Sequence, residues 1–257
     1  MNALLFLACS GSSIHESGLS SSSPEVADVT QLFTIPERPF DMAFSDDTLH
    51  ISADASGKLY QWDGSQLNEI VGNFSDIQAI AYREEDLYYT ITDNGVTGGL
   101  VHNSETLMTQ SSDGTLLRWP VDLLILPNQD ILIADFNAAL VFSYTTTGEQ
   151  KIYSVGSQSP LALAWHENIL YIGGEDGIWK KEWPDGMAVQ IDTRVANGLA
   201  IHNGEIFASN TQDGIFIIDG TTYSLPSDIG RPSTILIHQD TLYLIDQVGR
   251  GIWTLPL

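Results

Sequence analysis

Between residue 31 and the end of the chain, apolar and polar positions alternate in short runs broken by polar turns. Alternation with a period of two, carried by β-branched and aromatic residues, predicts half-buried strands, and no stretch keeps the 3.6-residue period of a helix. The runs also recur as sets. A first run follows a turn six times: PFDMAF (39 to 44), IQAIAY (77 to 82), VDLLIL (121 to 126), PLALAW (160 to 165), ANGLAI (196 to 201) and PSTILI (232 to 237), with starts 36 to 44 residues apart. A second run follows each after a polar turn: TLHISAD, DLYYTITD, DILIAD, ILYIGGE, EIFASN and TLYLID. Five of the six units add a third run that opens on Gly or another small residue; in the second unit, residues 95 to 119 are longer and leave the third run unassigned.

Repeats of about 40 residues, each with four short antiparallel strands, are the signature of a β-propeller. The chain is therefore expected to be all-β, a six-bladed β-propeller over residues 31 to 257 with four-stranded antiparallel blades. Asp-Gly pairs begin at 63, 113, 176, 185, 213 and 219 beside these runs, and Asp-Gly favours hairpins because both residues tolerate positive φ. The sixth unit stops at Leu257 after three runs, while QLFTIP, residues 31 to 36, stands unassigned before the first. That segment is predicted to form the outer strand of the last blade, joining the two ends of the chain and leaving no open edge in the ring.

Charge narrows the partners. Thirty-three Asp and Glu against 10 Lys and Arg give a formal net charge of -23, a field that repels phosphate backbones and excludes nucleic acid as a partner. The N-terminus adds a second feature. Cys9, the one cysteine, follows a short apolar run and a small residue in MNALLFLACSGSS. Leu7, Ala8 and Cys9 resemble a bacterial lipoprotein signal, in which that Cys is lipidated and becomes the mature N-terminus. On this reading residues 1 to 8 are the signal and residues 9 to 30, rich in Ser, form a flexible tether. The protein is then expected outside the cytoplasm, in the periplasm or at the outer membrane, held to the membrane only through its lipid.

In a four-stranded antiparallel blade the loop before the first strand and the loop after the second lie on one face. The positions equivalent to Asn197 on that face are Phe40, Gln78, Val121, Leu161 and Ser233. With elements such as ANGLAI, IFASN and GIFIIDG, the repeat region resembles the six-bladed propellers of the senescence marker protein and gluconolactonase group, and more loosely the NHL-type propellers. That resemblance implies a divalent cation in the channel, such as Ca²⁺, held by a Glu, two Asn and an Asp, which by position fall on Phe40, Val121, Asn197 and Ser233. Only Asn197 matches, and one amide with a hydroxyl does not replace two carboxylates for a hard cation. A shift of a residue or two would bring Glu37, Asp41 or Asp122 toward the channel. The candidate channel-face residues are thus Gln78, Asn197, Ser233, Asp41 and Asp122, with Asn197 as the one candidate metal ligand and otherwise a turn residue.

Two further sets recur. The second runs end in Asp54, Asp93, Asp135, Glu175, Asn210 and Asp246, read as side chains that bond backbone N–H groups in their own turns. His166, His202 and His238 recur at 36-residue spacing on the opposite face and are read as solvated turn residues. Nucleophile-elbow, zincin, phosphate-loop and paired-cysteine motifs are absent from the sequence. The expectation is a monomeric, lipid-anchored propeller that acts as a binding or scaffolding module for a small molecule or protein and uses no cofactor. The alternative is a divergent metal-dependent lactonase-like hydrolase working at the face around Asn197.

Overall fold

The computed structural model describes residues 25–26, 28–53, 57–70 and 76–257; Cys9, the signal, most of the tether and Asp54 lie outside them. The described chain is a six-bladed β-propeller. The innermost strands, which wall the central channel, are Pro39–Ser45 (blade I), Ile77–Arg83 (II), Pro120–Ile125 (III), Pro160–His166 (IV), Gly198–His202 (V) and Pro232–His238 (VI). Four of them open on Pro, tolerated at a strand's first residue where no ladder N–H is required. The strand of blade III begins one residue before the run VDLLIL, so Asp122 stands in register with Asp41. Blade II takes its third and fourth strands from Thr97–His102 and Glu105–Met108, which resolves the segment that the sequence pattern left open.

Closure follows the expected scheme. Thr30–Thr34 pairs antiparallel with Gly251–Pro256 as the outer strand of blade VI, and Ile35 N donates to Arg250 O at 2.9 Å. One pairing has no counterpart in the sequence pattern: Glu25–Val26 lies parallel to Thr222–Ser224, the outer strand of blade V.

The core is distributed around the ring. Each of six clusters of buried side chains fills the space between one pair of neighbouring blades, for example Ile215, Phe207, Leu242 and Trp253 between V and VI, and Met42, Ile51, Ile245 and Ile252 between VI and I. No blade buries its two faces alone, so stability requires the whole ring.

Hydroxyls at one register position of the second strands staple neighbouring blades. Ser52 Oγ donates to Gln78 O at 2.5 Å, Thr90 Oγ1 to Pro120 O at 2.9 Å, and Ser209 Oγ to Ser233 O. Blade IV carries Gly173 there because a Cβ would stand 2.9 Å from Ala196 O of blade V.

The acceptors ending the second strands do not form one sixfold set. Asp135, Asn210 and Asp246 share a register position, opposite Pro120, next to Gly198 and opposite Pro232. Each bonds its own turn and also the loop leading into its blade's inner strand. Asp135 accepts from the N–H groups of Arg118, Trp119 and Ala138, and Asp246 from those of Gly230, Arg231 and Val248. Asn210 accepts from Gln212 and Asp213 N–H and donates to Val195 O. In blade IV this work falls to Asp176, which accepts from Ser157 Oγ at 2.6 Å and Gln158 N at 3.0 Å, and Glu175 is left to point elsewhere.

Candidate functional site

The inner strands enclose a throat of about 130 Å³, lined by Asp41, Asp122, Asn197 and Thr234 among apolar neighbours. Above it opens a vestibule of about 380 Å³. Val121, Leu161, Asn197 and Thr234 line both spaces, which makes the vestibule the mouth of the channel. Its walls come from loops before the inner strands and after the second strands, the face expected from strand direction.

The throat is built by side chains at the third position of the inner strands. Asp41 Oδ2 accepts Ile80 N–H at 2.8 Å, and Asp122 Oδ2 accepts Leu163 N–H at 2.5 Å while its Oδ1 accepts Leu123 N–H at 2.8 Å. Thr234 Oγ1 donates to Phe40 O at 3.1 Å. The bonds to Ile80, Leu163 and Phe40 cross to the next blade, so these three residues tie I to II, III to IV and VI to I. Burial pushes the Asp41 carboxyl up to about 7, and burial together with the nearby Asp41 charge pushes Asp122 well above the usual carboxylate range. Ionised carboxylates lose hydration in such a place, and two of them repel.

At the mouth the walls differ in character. Arg38 and Arg231 come from the adjacent blades I and VI; Trp119, Phe136, Leu161 and Glu175 come from III and IV. The Trp119 and Phe136 rings meet edge to face at 5.4 Å, and Trp119 Nε1 donates to Gln78 Oε1 at 3.4 Å. The Trp119 backbone is held by Asp135. Arg38 donates to Gln247 Oε1 at 3.0 Å. Arg231 is exposed, and its guanidinium makes no hydrogen bond or ion pair among the described residues.

The residues singled out by sequence therefore separate. Asp41, Asp122 and Asn197 meet at the throat, and Asn197 and Ser233 meet at the vestibule. Gln78 is buried beside an adjoining pocket that shares Trp119 with the vestibule. Glu37 turns away to Tyr60 and Lys58, with Lys58 Nζ at 2.9 Å, and lines neither space. Asn197 lies in a bend at the entry to its strand, without positive φ at it or at Gly198, and its Nδ2 donates to Pro232 O at 3.3 Å. Glycine follows it because a Cβ at position 198 would lie 2.4 Å from Ser233 O and 2.7 Å from Ile235 N. A close approach between blades, not a hairpin, selects this Asn-Gly.

A divalent cation does not fit this mouth. Phe40 and Val121 supply no ligand atom, Asn197 and Ser233 offer only one neutral oxygen each where a hard cation needs several oxygen ligands, and no group of three or more His, Cys, Asp or Glu is arranged to hold a metal among the described residues. The three histidines of the opposite face are spread over separate contacts: His202 with Asp240 at 3.6 Å, His238 with Asp47 at 3.4 Å and His166 with Glu167 at 3.8 Å.

Sequence reasoning passed over Arg38, Arg231, Trp119 and Gln247. A signal existed for the arginines. Arg-Pro recurs at residues 38–39 and 231–232, both times at the entry to an inner strand, in a chain with only 10 Lys and Arg.

No protein-family model and no curated protein sequence matches this chain. Solved structures do. A protein provisionally assigned as a gluconolactonase superposes with a TM-score of 0.73 at 15% identity, covering 90% of this chain and 92% of that one. A gluconolactonase from Xanthomonas campestris gives 0.71 at 16% identity, covering 90% of each chain. A Thermus thermophilus protein provisionally assigned as an oxidoreductase, a glucose dehydrogenase, gives 0.65 at 12% identity, covering 89% of this chain and 99% of that one. At such identities the likeness shows the shared propeller fold.

Proposed function

We propose that this propeller handles a small organic molecule in the vestibule at the mouth of its channel. The observation that carries the reading is the vestibule itself: about 380 Å³, with fixed aromatic walls and a few converging polar groups, continuous with the throat below. Small-molecule sites are concave, largely preformed and of this size, whereas a scaffold needs no such cavity. A thermal-shift screen with neutral and charged ring compounds, sugar lactones among them, tests it. Saturable stabilisation that Val121→Trp removes is expected, because the larger side chain fills the mouth. Stabilisation that survives Val121→Trp, or none across the panel, argues for a scaffold.

The likeness in fold to two gluconolactonases favours a second reading, hydrolysis of a ring ester bound in the same place. Since the mouth does not fit a divalent cation, any turnover is expected to be insensitive to chelators. Titration of acid released from glucono-δ-lactone above the spontaneous rate, with EDTA and with added Ca²⁺, Zn²⁺ or Mn²⁺, decides it; a rate equal to the uncatalysed one leaves binding as the function.

On the residues around Cys9 alone we also propose lipid anchoring outside the cytoplasm. Mass spectrometry of the protein recovered from a bacterial host is expected to find a modified Cys9 at the N-terminus, and an unmodified terminus overturns the anchor.

A further inference from the structure

We propose that the vestibule selects organic anions, carboxylates on a flat or apolar body, with the carboxylate at Arg231 and Arg38 and the body against Trp119, Phe136 and Phe40. This rests on the vestibule being the ligand site and specifies its chemistry. Two of the chain's 10 basic residues converge on this one cavity although the net charge is -23. Isolated surface arginines in so acidic a protein would be expected to pair with the abundant carboxylates, yet the Arg231 guanidinium has no such partner among the described residues. Its backbone is nonetheless fixed, since Asp246 accepts the Arg231 N–H at 2.9 Å and Gln247 N donates to Arg231 O at 3.0 Å. A guanidinium carried on a fixed backbone at the rim, without an internal partner among the described residues, can turn its planar fork of donors onto a carboxylate.

The opposite wall defines the other end of the ligand. Trp119 and Phe136 are locked edge to face and offer ring surface, and the Glu175 carboxylate lies on the same side. The mouth is therefore polarised from a cationic rim on blades I and VI to an aromatic and acidic rim on III and IV. A dianion or a phosphate chain long enough to cross the mouth would meet Glu175, whereas a single carboxylate on a ring reaches the arginines with its apolar end against the aromatics. The distant acidic surface opposes any anion, but at about 0.15 M salt the screening length is roughly 8 Å, so that repulsion fades while contact pairing persists.

The probes are 3-phenylpropionate and its neutral analogue 3-phenylpropanol, measured by ligand-observed NMR and calorimetry at 0.15 M salt. The carboxylate is expected to bind about tenfold tighter than the alcohol, as a charge-assisted pair at a partly desolvated site allows. Arg231→Gln should reduce that preference to near unity; the residue is exposed and its side chain carries no described bond. Arg118→Gln, an exposed arginine outside the vestibule, should leave the preference intact. Equal binding of carboxylate and alcohol, or a preference that survives Arg231→Gln and Arg38→Gln together, overturns the inference while leaving the vestibule a ligand site. Binding of neither probe at millimolar concentration also overturns it, and the broader screen with Val121→Trp then decides the underlying reading.

Discussion

Asp41 and Asp122 occupy the same position of the repeat, two blades apart, and each accepts the backbone N–H at one equivalent position of the next blade, Ile80 at 2.8 Å and Leu163 at 2.5 Å. The carboxyls serve as struts between inner strands while sharing one narrow throat. An aliphatic residue would leave a buried amide unsatisfied, whereas a protonated carboxyl still accepts through its carbonyl oxygen, more weakly than a carboxylate but without a buried charge. Proton uptake is thus built into the way the ring is closed.

The pH dependence follows with a definite sign. The folded Asp41 carboxyl titrates near 7 against about 3.9 in an unfolded chain, and Asp122 is raised as well. At these two carboxyls the folded state therefore holds more protons between these limits, so their contribution to stability is full below about pH 4 and falls as pH rises toward 7, while His50, pushed down to about 4 by burial, contributes with the opposite slope. Urea unfolding of wild type and Asp41→Asn from pH 4 to 8 isolates the carboxyl's share as the difference between the two proteins. Asp41→Asn keeps an acceptor for Ile80 N–H without the charge, and is expected to flatten the profile and to be more stable than wild type at pH 8 by on the order of 1 to 3 kcal/mol. A difference between the two proteins that does not grow in favour of Asp41→Asn as pH rises would refute the assignment.

Ring closure gives a second expectation. Removing residues 1–24 takes away no described strand, and the melting temperature should hold. Extending the deletion through Pro36 removes the outer strand of blade VI and Ile35, which is 3% exposed in the cluster between VI and I. Loss of that burial, with Leu32 and Phe33, should cost at least about 4 kcal/mol and leave an open edge that aggregates. Matching melting curves for the two deletions would exclude closure by this strand.

Asp246 links the fold to the site. It is fully buried and accepts three backbone N–H groups, two of them in the loop that carries Arg231. Asp246→Ala should destabilise by about 3 kcal/mol, since each stranded donor costs roughly 1 to 3 kcal/mol and water relieves part of it. Asp246→Asn should recover only part of that loss, because one side-chain oxygen replaces two. Chemical denaturation of the three proteins checks the order.

Most of the architecture was legible because a repeat writes each strand several times, and an ambiguous blade borrows its reading from the others. The closing strand could be placed for the same reason: one run was surplus and one was missing. The pairing of Glu25–Val26 was not legible, since two residues in parallel pairing carry no periodic signal. The site was harder. The channel face of Asn197 follows from its position in the repeat, and Asn-Gly marks the bend into its strand, but the close approach of Gly198 to Ser233 O comes from another blade and leaves no local signal. Glu175 was grouped with the turn-capping acids, but the register of blade IV hands that task to Asp176. Arg38 and Arg231 lie 193 residues apart in sequence, and only closure of the ring, which sets blade VI beside blade I, makes them neighbours.

Asn197 itself separates a structural from a metal-binding role. A ligand of a divalent cation would be stabilised by mass action, about 2.7 kcal/mol at a metal concentration 100 times the dissociation constant, and Asn197→Ala would abolish that gain. Among the described residues Asn197 makes a single side-chain bond, from Nδ2 to Pro232 O at 3.3 Å, with Phe40 and Val121 at the companion positions. Loss of such a bond at a half-buried site costs roughly 0.5 to 1.5 kcal/mol. Asn197→Ala is therefore expected to destabilise by that amount equally with and without Ca²⁺, Zn²⁺ or Mn²⁺. Thermal unfolding at about 0.15 M salt is the measurement, because screening then suppresses diffuse attraction of cations to the acidic surface. A saturable metal effect that vanishes in Asn197→Ala would place a cation at the mouth after all and make Asn197 its ligand.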